Sequence, residues 1–282
     1  MTSVREETDT DGHTTTDVPA RHTGSVEAAA MRAEWIKLRS VQSTVWSLLV
    51  AVAVTVGLGA LFCAARVARA DRLDASELRS FDPTTFSLNG LFLAQLAIGV
   101  LGVLVMTSEY STGQIRATLA GTPQRMVVLV AKLAVFVATV VVVGLVACFS
   151  AFFIGQAILS QKFNEAHLGD PGVLRAVIGG ALYLAVIGAL GLGLGVMLRR
   201  TAGAIAALVG LLLILPILVS FLPSPWNDNI SKYLPIPAGQ SIFSVNPPGR
   251  DSLSLWVGFA VFCAYAVVAL IVGAILLQRR DA

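Results

Sequence analysis

Six long apolar stretches alternate with shorter polar segments along this chain. They run roughly over residues 45–64, 88–107, 126–158, 173–198, 202–222 and 253–277. Each has about the twenty mostly apolar residues that a helix needs to cross a hydrocarbon core of about 30 Å. The pattern therefore predicts an all-α integral membrane fold with six transmembrane helices. Pro216 should kink or weaken the fifth helix, because proline lacks a backbone N–H and its ring crowds the preceding turn.

The composition agrees with lipid as a partial solvent. Hydrophobic residues make up 56% of the chain and charged residues 13%, whereas a soluble domain usually carries about a quarter charged residues. Such a chain has too little polar surface to cover a water-soluble globule. Each of the three cysteines lies inside an apolar stretch, so all three are interpreted as packing residues.

The N-terminal segment has a different composition. Residues 1–30 are rich in Thr, Asp, Glu and Gly and contain no apolar signal-peptide core, which predicts a disordered tail. The first apolar stretch is too long for a signal peptide and should be an uncleaved transmembrane helix. The remaining residues, 31–282, are expected to form one membrane domain.

The positive charges near the helix ends predict the orientation. If the N-terminus is cytoplasmic, Lys and Arg clearly outnumber Asp and Glu in the short loops on that side, whereas the two signs balance in the longer opposite loops. Six helices then place both termini in the cytoplasm.

The segment over residues 31–42 predicts an interfacial helix before the first span. Met31, Trp35 and Leu38 share one helical face, and a Trp flanked by Arg suits the lipid headgroup level. Two interpretations remain open, a positive membrane anchor and a docking site for a cytoplasmic partner. The candidate residues are Glu34, Trp35, Lys37 and Arg39.

The connector after the second stretch also predicts a short helix, over about residues 111–120. Ser111 and Gln114 have capping-box spacing, while Gly121 and Pro123 favour termination. Such order exceeds what a tether needs, so the connector is either an ordinary structured loop or a rigid lever for another protein. Glu109 should precede the helix, where the helix dipole favours a carboxylate. At this position Glu109 could also form an ion pair with a positive group of a partner protein.

We interpret the polar and small residues inside the spans first as residues that form contacts between helices. Amides in hydrocarbon usually form interhelical hydrogen bonds, which is expected of Gln95 and Gln156. No span centre carries an acidic or basic residue, which argues against a proton-coupled carrier. Close helix contact, within the chain or between two chains, is expected at Gly188, Gly191 and Gly195.

Several catalytic signatures are missing from the sequence. It contains no phosphate loop, no nucleophile elbow and no metal-binding His-Glu-x-x-His segment. We therefore expect no catalytic residue, metal or cofactor on this chain. The Pro-rich segment after the fifth stretch is apolar enough to dip back into the membrane as a cap.

Five segments carry a family resemblance. They are Glu-Trp-Ile-Lys-Leu-Arg-Ser at 34–40, Ala-Gln-Leu-Ala-Ile-Gly-Val-Leu-Gly at 94–102, Ser-Glu-Tyr-Ser-Thr-Gly-Gln-Ile-Arg-Ala-Thr-Leu at 108–119, Leu-Gly-Asp-Pro-Gly at 168–172 and Tyr-Leu-Pro at 233–235. With them the chain resembles the permease subunit of type-2 ABC exporters, particularly the six-span actinobacterial kind. The block at 108–113 is the most specific of the five.

The resemblance implies a multi-pass permease of the plasma membrane that pairs with itself or with a second permease. It also implies a separate ATPase subunit that binds the ATP and magnesium, and it implies no nucleic acid. The residues that the resemblance places in the ATPase-coupling region are Glu109, Tyr110, Thr112, Gly113, Ile115 and Arg116. The alternative is a non-transporting membrane scaffold or a peptide-immunity protein, which would need neither a capped connector nor an ATPase.

Overall fold

The computed structural model describes residues 23–72, 74, 77, 81–114, 124–245 and 253–279. These residues form ten helices and no strand. The helices are α1 Thr23–Ser40, α2 Gln42–Ala68, α3 Pro83–Ser87, α4 Leu91–Ser111, α5 Arg125–Leu159, α6 Val173–Leu198, α7 Thr201–Ser220, α8 Ser224–Ser231, α9 Pro235–Gln240 and α10 Leu255–Arg279, with a 3₁₀ turn at Ala70–Arg72.

Six of these helices, namely α2, α4, α5, α6, α7 and α10, are long and apolar enough to cross a membrane. The predicted all-α fold with six spans is therefore confirmed. An even number of spans brings the start of α2 and the end of α10 to the same end of the bundle, here named the terminal side. That this side is cytoplasmic stays a prediction.

The N-terminal boundary differs from the prediction. Helix α1 begins at Thr23, so the residues from 23 to 30, predicted as tail, are helical. Glu27 and the three alanines that follow it are good helix formers. They form no apolar stretch, so the pattern of hydrophobic positions did not predict this part of the helix. Residues 1–22 lie outside the described part of the chain. Val41, with an extended backbone, separates α1 from α2.

Helix α6 is the centre of the bundle and packs against α4, α5 and α10. In its most apolar part 72% of the residues are buried, against 28% in α2 and 22% in α7. Glycine makes this position possible. A Cβ atom on Gly191 would overlap the carbonyl of Gly99, and one on Gly102 would overlap the carbonyl of Gly188. The backbones of α4 and α6 are therefore in direct contact within the chain.

Helix α7 contains an irregularity just before its proline. Residues Gly210–Ile214 form a π-helical turn, in which the Leu215 N–H bonds to the carbonyl of Gly210 five residues earlier. Pro216 can donate no hydrogen bond, and its ring would crowd the carbonyl four residues back. The wider turn relieves this crowding. The hydrogen-bond pattern of the helix changes locally, and the span continues to Ser220.

The chain after α7 returns into the bundle on the side opposite the terminal side. The buried helix α9 packs on α10, and Gly239 lies against the rings of Tyr183 and Phe262. Tyr183 is ten residues inside α6, a depth of about 15 Å. Arg175 donates hydrogen bonds to the carbonyls of Ile242 (2.9 Å) and Ser244 (3.1 Å), which anchors the end of this segment. Whether the segment re-enters the bilayer stays a prediction.

Buried amides link the spans as their sequence positions predicted. The Tyr183 hydroxyl donates to Gln95 Oε1 between α6 and α4. The Gln156 amide of α5 donates to the Pro83 carbonyl (3.1 Å) and to Ser87 Oγ (3.0 Å) of α3. These bonds satisfy polar groups inside the bundle.

Candidate functional site

Four charged side chains from three helices meet on the terminal side. Lys132 Nζ of α5 lies 2.6 Å from Glu34 Oε2 of α1 and 2.8 Å from Glu109 Oε1 of α4. Lys37 Nζ of α1 lies 2.9 Å from Glu34 Oε1 and 3.1 Å from the same Glu109 oxygen. This set, named the ion cluster, joins α1, α4 and α5 by a closed ring of ion pairs.

The ion cluster is buried and electrically balanced. Only 6% of Glu34, 4% of Glu109 and 3% of Lys132 is exposed, and Lys37 lies half-buried at the edge. A buried charge is costly unless it is paired and hydrogen-bonded. Two carboxylates and two ammonium groups meet this condition, because each carboxylate contacts both lysines.

Lys37 lies outside the spans, and its charge is firmly held. Burial by itself lowers the pKa of Lys37, but the hydrogen bond to Glu34 and the negative charges of Glu109 and Glu34 together raise this pKa above its usual 10.5. The side chain is therefore an ammonium ion at neutral pH, which keeps the ring of ion pairs complete.

Helix α1 presents its charged face to the protein and its apolar face outward. Glu34 is buried, whereas Trp35 is 49% and Ile36 59% exposed. Leu38 packs against the core while Met31 is exposed, so the predicted common face of Met31, Trp35 and Leu38 is split. The buried Lys132 and Glu109 require partners from α1, and outward apolar side chains suit a helix at a membrane surface. Arg39 is exposed.

The end of α4 corrects the predicted position of Glu109. Helix α4 continues to Ser111, and Gly113 follows with a φ of 71°, the left-handed conformation that typically terminates a helix. Ser111 donates to the Ser108 carbonyl (3.0 Å) inside α4 instead of starting a new helix. Glu109 therefore lies at the negative end of a helix dipole, which disfavours a carboxylate, and the two lysines offset that effect.

The remainder of the predicted connector helix, including Ile115 and Arg116, lies outside the described residues. Thr112 and Gly113 are exposed. Thr112 Oγ1 donates to the Ser108 carbonyl (2.8 Å), and a Cβ atom on Gly113 would meet no described residue within 4 Å. These two residues are the exposed start of the segment that follows α4, here named the exit of α4.

A second set of contacts joins the end of α4 to the tight turn between α6 and α7. The Arg199 guanidinium carbon lies 5.1 Å from the centre of the Tyr110 ring, and Thr201 Oγ1 donates to Thr107 Oγ1 at 3.0 Å. Arg199 occupies the turn with a φ of 54°. Thr107, Glu109 and Tyr110 thus connect one helix end to four other helices, namely α1, α5, α6 and α7.

Arginines also hold the end of α10 on the terminal side. Arg125 Nη1 donates to the Leu277 carbonyl (2.8 Å), and Arg199 Nη2 donates to the Leu276 carbonyl (3.3 Å). Cations bonded to the last carbonyls of a helix also complement its dipole. The terminal side is therefore a connected polar layer beneath which the spans pack through apolar contacts.

Sequence reasoning missed five members of this layer, namely Thr107, Arg125, Lys132, Arg199 and Thr201. Lys132 carried a usable signal, because it is the only charged residue in a long apolar stretch after Arg125. Interpreting it as one more positive anchor concealed its pairing with two carboxylates. The predicted glycines lie elsewhere: Gly188 and Gly191 meet α4 at Ile98 and Gly99, and Gly195 meets it at Val103.

Comparison of the sequence with protein-family models shows to which class of membrane protein the chain belongs. The residues from 30 to 214 match the family model described as ABC-2 family transporter protein, a range that includes the whole ion cluster. No curated protein matches the sequence. The protein is thus a multi-pass membrane protein of the type-2 ABC permease class. The family match covers more than half of the chain, which therefore belongs to the ABC-2 transporter family, as the resemblance predicted.

Proposed function

We propose that this chain is the membrane-spanning subunit of an ATP-driven exporter in the plasma membrane. A separate ATPase subunit binds ATP and magnesium on the cytoplasmic face, which is the terminal side. The permease acts as a homodimer or as a heterodimer with a second permease. Membership of the ABC-2 family supports the transport role, and the separate ATPase and the outward direction are the proposal.

The observation that carries this proposal is the connection of the end of α4 to its neighbours. The ATPase presses on the exposed exit of α4 at Thr112 and Gly113. Buried Glu109 does not touch the ATPase. It passes the displacement to α1 and α5 through Lys37 and Lys132.

The second branch of the same movement runs through Tyr110 and Thr107. Their contacts with Arg199 and Thr201 reach the turn between α6 and α7. Helix α7 is the least buried span and contains the π-helical turn, so fewer contacts oppose its displacement. A push at one helix end therefore moves α1, α5 and α7 together, as coupling of ATP hydrolysis to transport requires.

The test is co-expression of this chain with the ATPase encoded beside it. The complex is purified in mild detergent, and ATP hydrolysis is measured in lipid nanodiscs. Co-purification with hydrolysis above that of the ATPase alone is expected. Absence of a stable complex under several mild detergents would contradict the proposal. ATP-dependent uptake into inside-out vesicles, in which the cytoplasmic face is outward, tests the direction, with an ATPase that binds but cannot hydrolyse ATP as control.

A further inference from the structure

A cavity of about 260 Å³ lies beside the ion cluster, between α1, the start of α2 and the end of α4. We name it the α1–α4 cavity. Its walls differ along its length. Hydroxyl groups of Ser43, Thr44 and Ser108 line it near the terminal side, and Leu101, Leu104 and Val105 line it farther inside.

The depth of the cavity matches the boundary between headgroups and hydrocarbon. Ser108 and Leu101 are seven residues apart on α4, which corresponds to about 10 Å along the helix. Ser108 belongs to the last turn of the span, and Leu101 lies in its apolar interior. An occupant must therefore be polar at one end and apolar at the other. A membrane amphiphile meets this requirement, whereas water or a small hydrophilic solute leaves the apolar half unsatisfied.

The polar half carries charges of both signs. Lys37 and Glu109 both line the cavity. Glu109 Oε1 accepts from both lysines, whereas Oε2 accepts no hydrogen bond from any residue that the structure describes, although it is buried. Among the described residues Oε2 has no donor, and an ammonium group bearing N–H bonds would provide one.

We propose that the α1–α4 cavity binds a phospholipid whose headgroup carries a primary amine, as in phosphatidylethanolamine. The ammonium group donates to Glu109, the phosphate lies near Lys37 and the hydroxyls, and the first methylenes pack on Leu101 and Leu104. A choline headgroup has no N–H and cannot make the bond to Glu109. The lipid is a resident ligand that joins α1 to α4, so the proposal does not depend on what the transporter carries.

The experiment is native mass spectrometry of the full chain in mild detergent, titrated with phosphatidylethanolamine or phosphatidylcholine of identical acyl chains. We expect about tenfold tighter binding of the ethanolamine lipid, the factor of one good charge-assisted hydrogen bond. Ser47→Phe fills the cavity without altering the ion cluster and should abolish the preference. Val50→Phe, at an exposed position of the same helix, is the matched control and should retain it.

Other outcomes would overturn the assignment. Equal affinity for the two lipids in the unaltered protein would show that no headgroup N–H bonds to Glu109 and would overturn the assignment. An undiminished preference in a folded Ser47→Phe protein, or in Leu104→Trp should Ser47→Phe aggregate, would place the lipid elsewhere. Binding of ethylamine as tight as that of the ethanolamine lipid would show a site for a soluble amine, to which the phosphate and the acyl chains contribute nothing.

Discussion

Helix α4 makes two contacts of opposite character. Near its middle, Gly99 lies directly against Gly191 of α6, with no side chain between the two backbones. At its end, Glu109 is joined to α1 and α5 through two long lysine side chains. The same helix therefore has a short-range contact inside the bundle and a charged, extended contact on the terminal side.

The difference teaches where movement can pass through this protein. Dispersion contacts lose much of their energy when a gap of about 1 Å opens, so the glycine contact admits a single geometry. The attraction within an ion pair decreases slowly with distance. Glu109 contacts two lysines, so it keeps one of them when a shift of α1 lengthens its contact with the other. The middle of α4 thus fixes the bundle, while its end can change partners without losing all of its attraction.

The largest effect is expected from Lys132→Met. This change leaves Glu34 and Glu109 buried with a single shared lysine, and removal of one partner from a buried ion pair typically costs about 3–5 kcal/mol. Thermal unfolding of a purified fluorescent fusion measures the loss. Unchanged unfolding would show that the ion cluster does not hold α1 and α5 together.

A double variant separates stability from coupling. Lys132→Met combined with Glu109→Leu leaves one balanced pair, Glu34 with Lys37, and replaces the rest by apolar groups. Such replacement of buried ions is often neutral for stability, so most of the lost thermal stability should return. Transport should remain low, because the charged link between α4 and α5 is gone. Recovery of both properties would refute the coupling role of Glu109.

Gly191→Val should destabilise the protein by about 1–3 kcal/mol, the usual cost of forcing extra atoms into a packed core. The added side chain overlaps the Gly99 carbonyl, and a backbone cannot move aside as a flexible side chain can. Gly57→Val on α2 is the control, since no residue that the structure describes lies within 4 Å of its added Cβ. Equal unfolding temperatures for the two variants would contradict the claim that the middle of α4 is held by tight backbone packing, unlike its end.

Lys37→Met should cost less than Lys132→Met, about 1 kcal/mol, because Lys37 is partly solvated at the edge of the cluster and the buried Lys132 still contacts both carboxylates. The raised pKa of Lys37 fixes the sign of its pH dependence. Its stabilisation is complete below the pKa of the unfolded chain and disappears as the pH rises through the higher folded pKa. The unfolding temperatures of the two proteins should therefore differ constantly between pH 7 and 9 and converge at alkaline pH. Convergence on acidification from pH 7 to 6 would contradict this assignment.

Gly113→Ala should lower transport far more than it lowers stability. No described residue lies within 4 Å of a Cβ atom on Gly113, so the expected strain is that of the left-handed backbone, at about 1 kcal/mol. Because this residue forms the exit of α4 toward the ATPase, ATP-coupled transport should fall severalfold while insertion is retained. Gly169→Ala, whose added Cβ also meets no described residue within 4 Å but whose backbone has no positive φ, is the control. Equal transport by the two variants would remove Gly113 from the coupling region.

The spans were predictable because their length and apolar composition are local properties. Gly191 and Pro216 were informative for the same reason, since close packing and a missing N–H depend on one residue. The ion cluster was not predictable, because it depends on the rotation of α1 about its own axis. Glu34 and Trp35 are adjacent in sequence, and only the position of Lys132 decides which of them faces inward.

The end of α4 was mispredicted for a related reason. Ser111 and Gln114 have the spacing of a capping box, yet the left-handed Gly113 between them ends the preceding helix. A sequence pattern gives the spacing of two side chains but not the backbone conformation of the residue between them. The dipole acting on Glu109 therefore has the opposite sign to the one predicted.

The arginine bonds to α10 have a consequence for biosynthesis. Arg125 and Arg199 are translated long before Leu276 and Leu277, the residues whose carbonyls they contact. The terminal side therefore closes only after the last span leaves the translocon. A nascent chain stalled before α10 would expose the face of α6 that α10 covers, giving quality-control proteases a means to distinguish an unfinished molecule from a finished one.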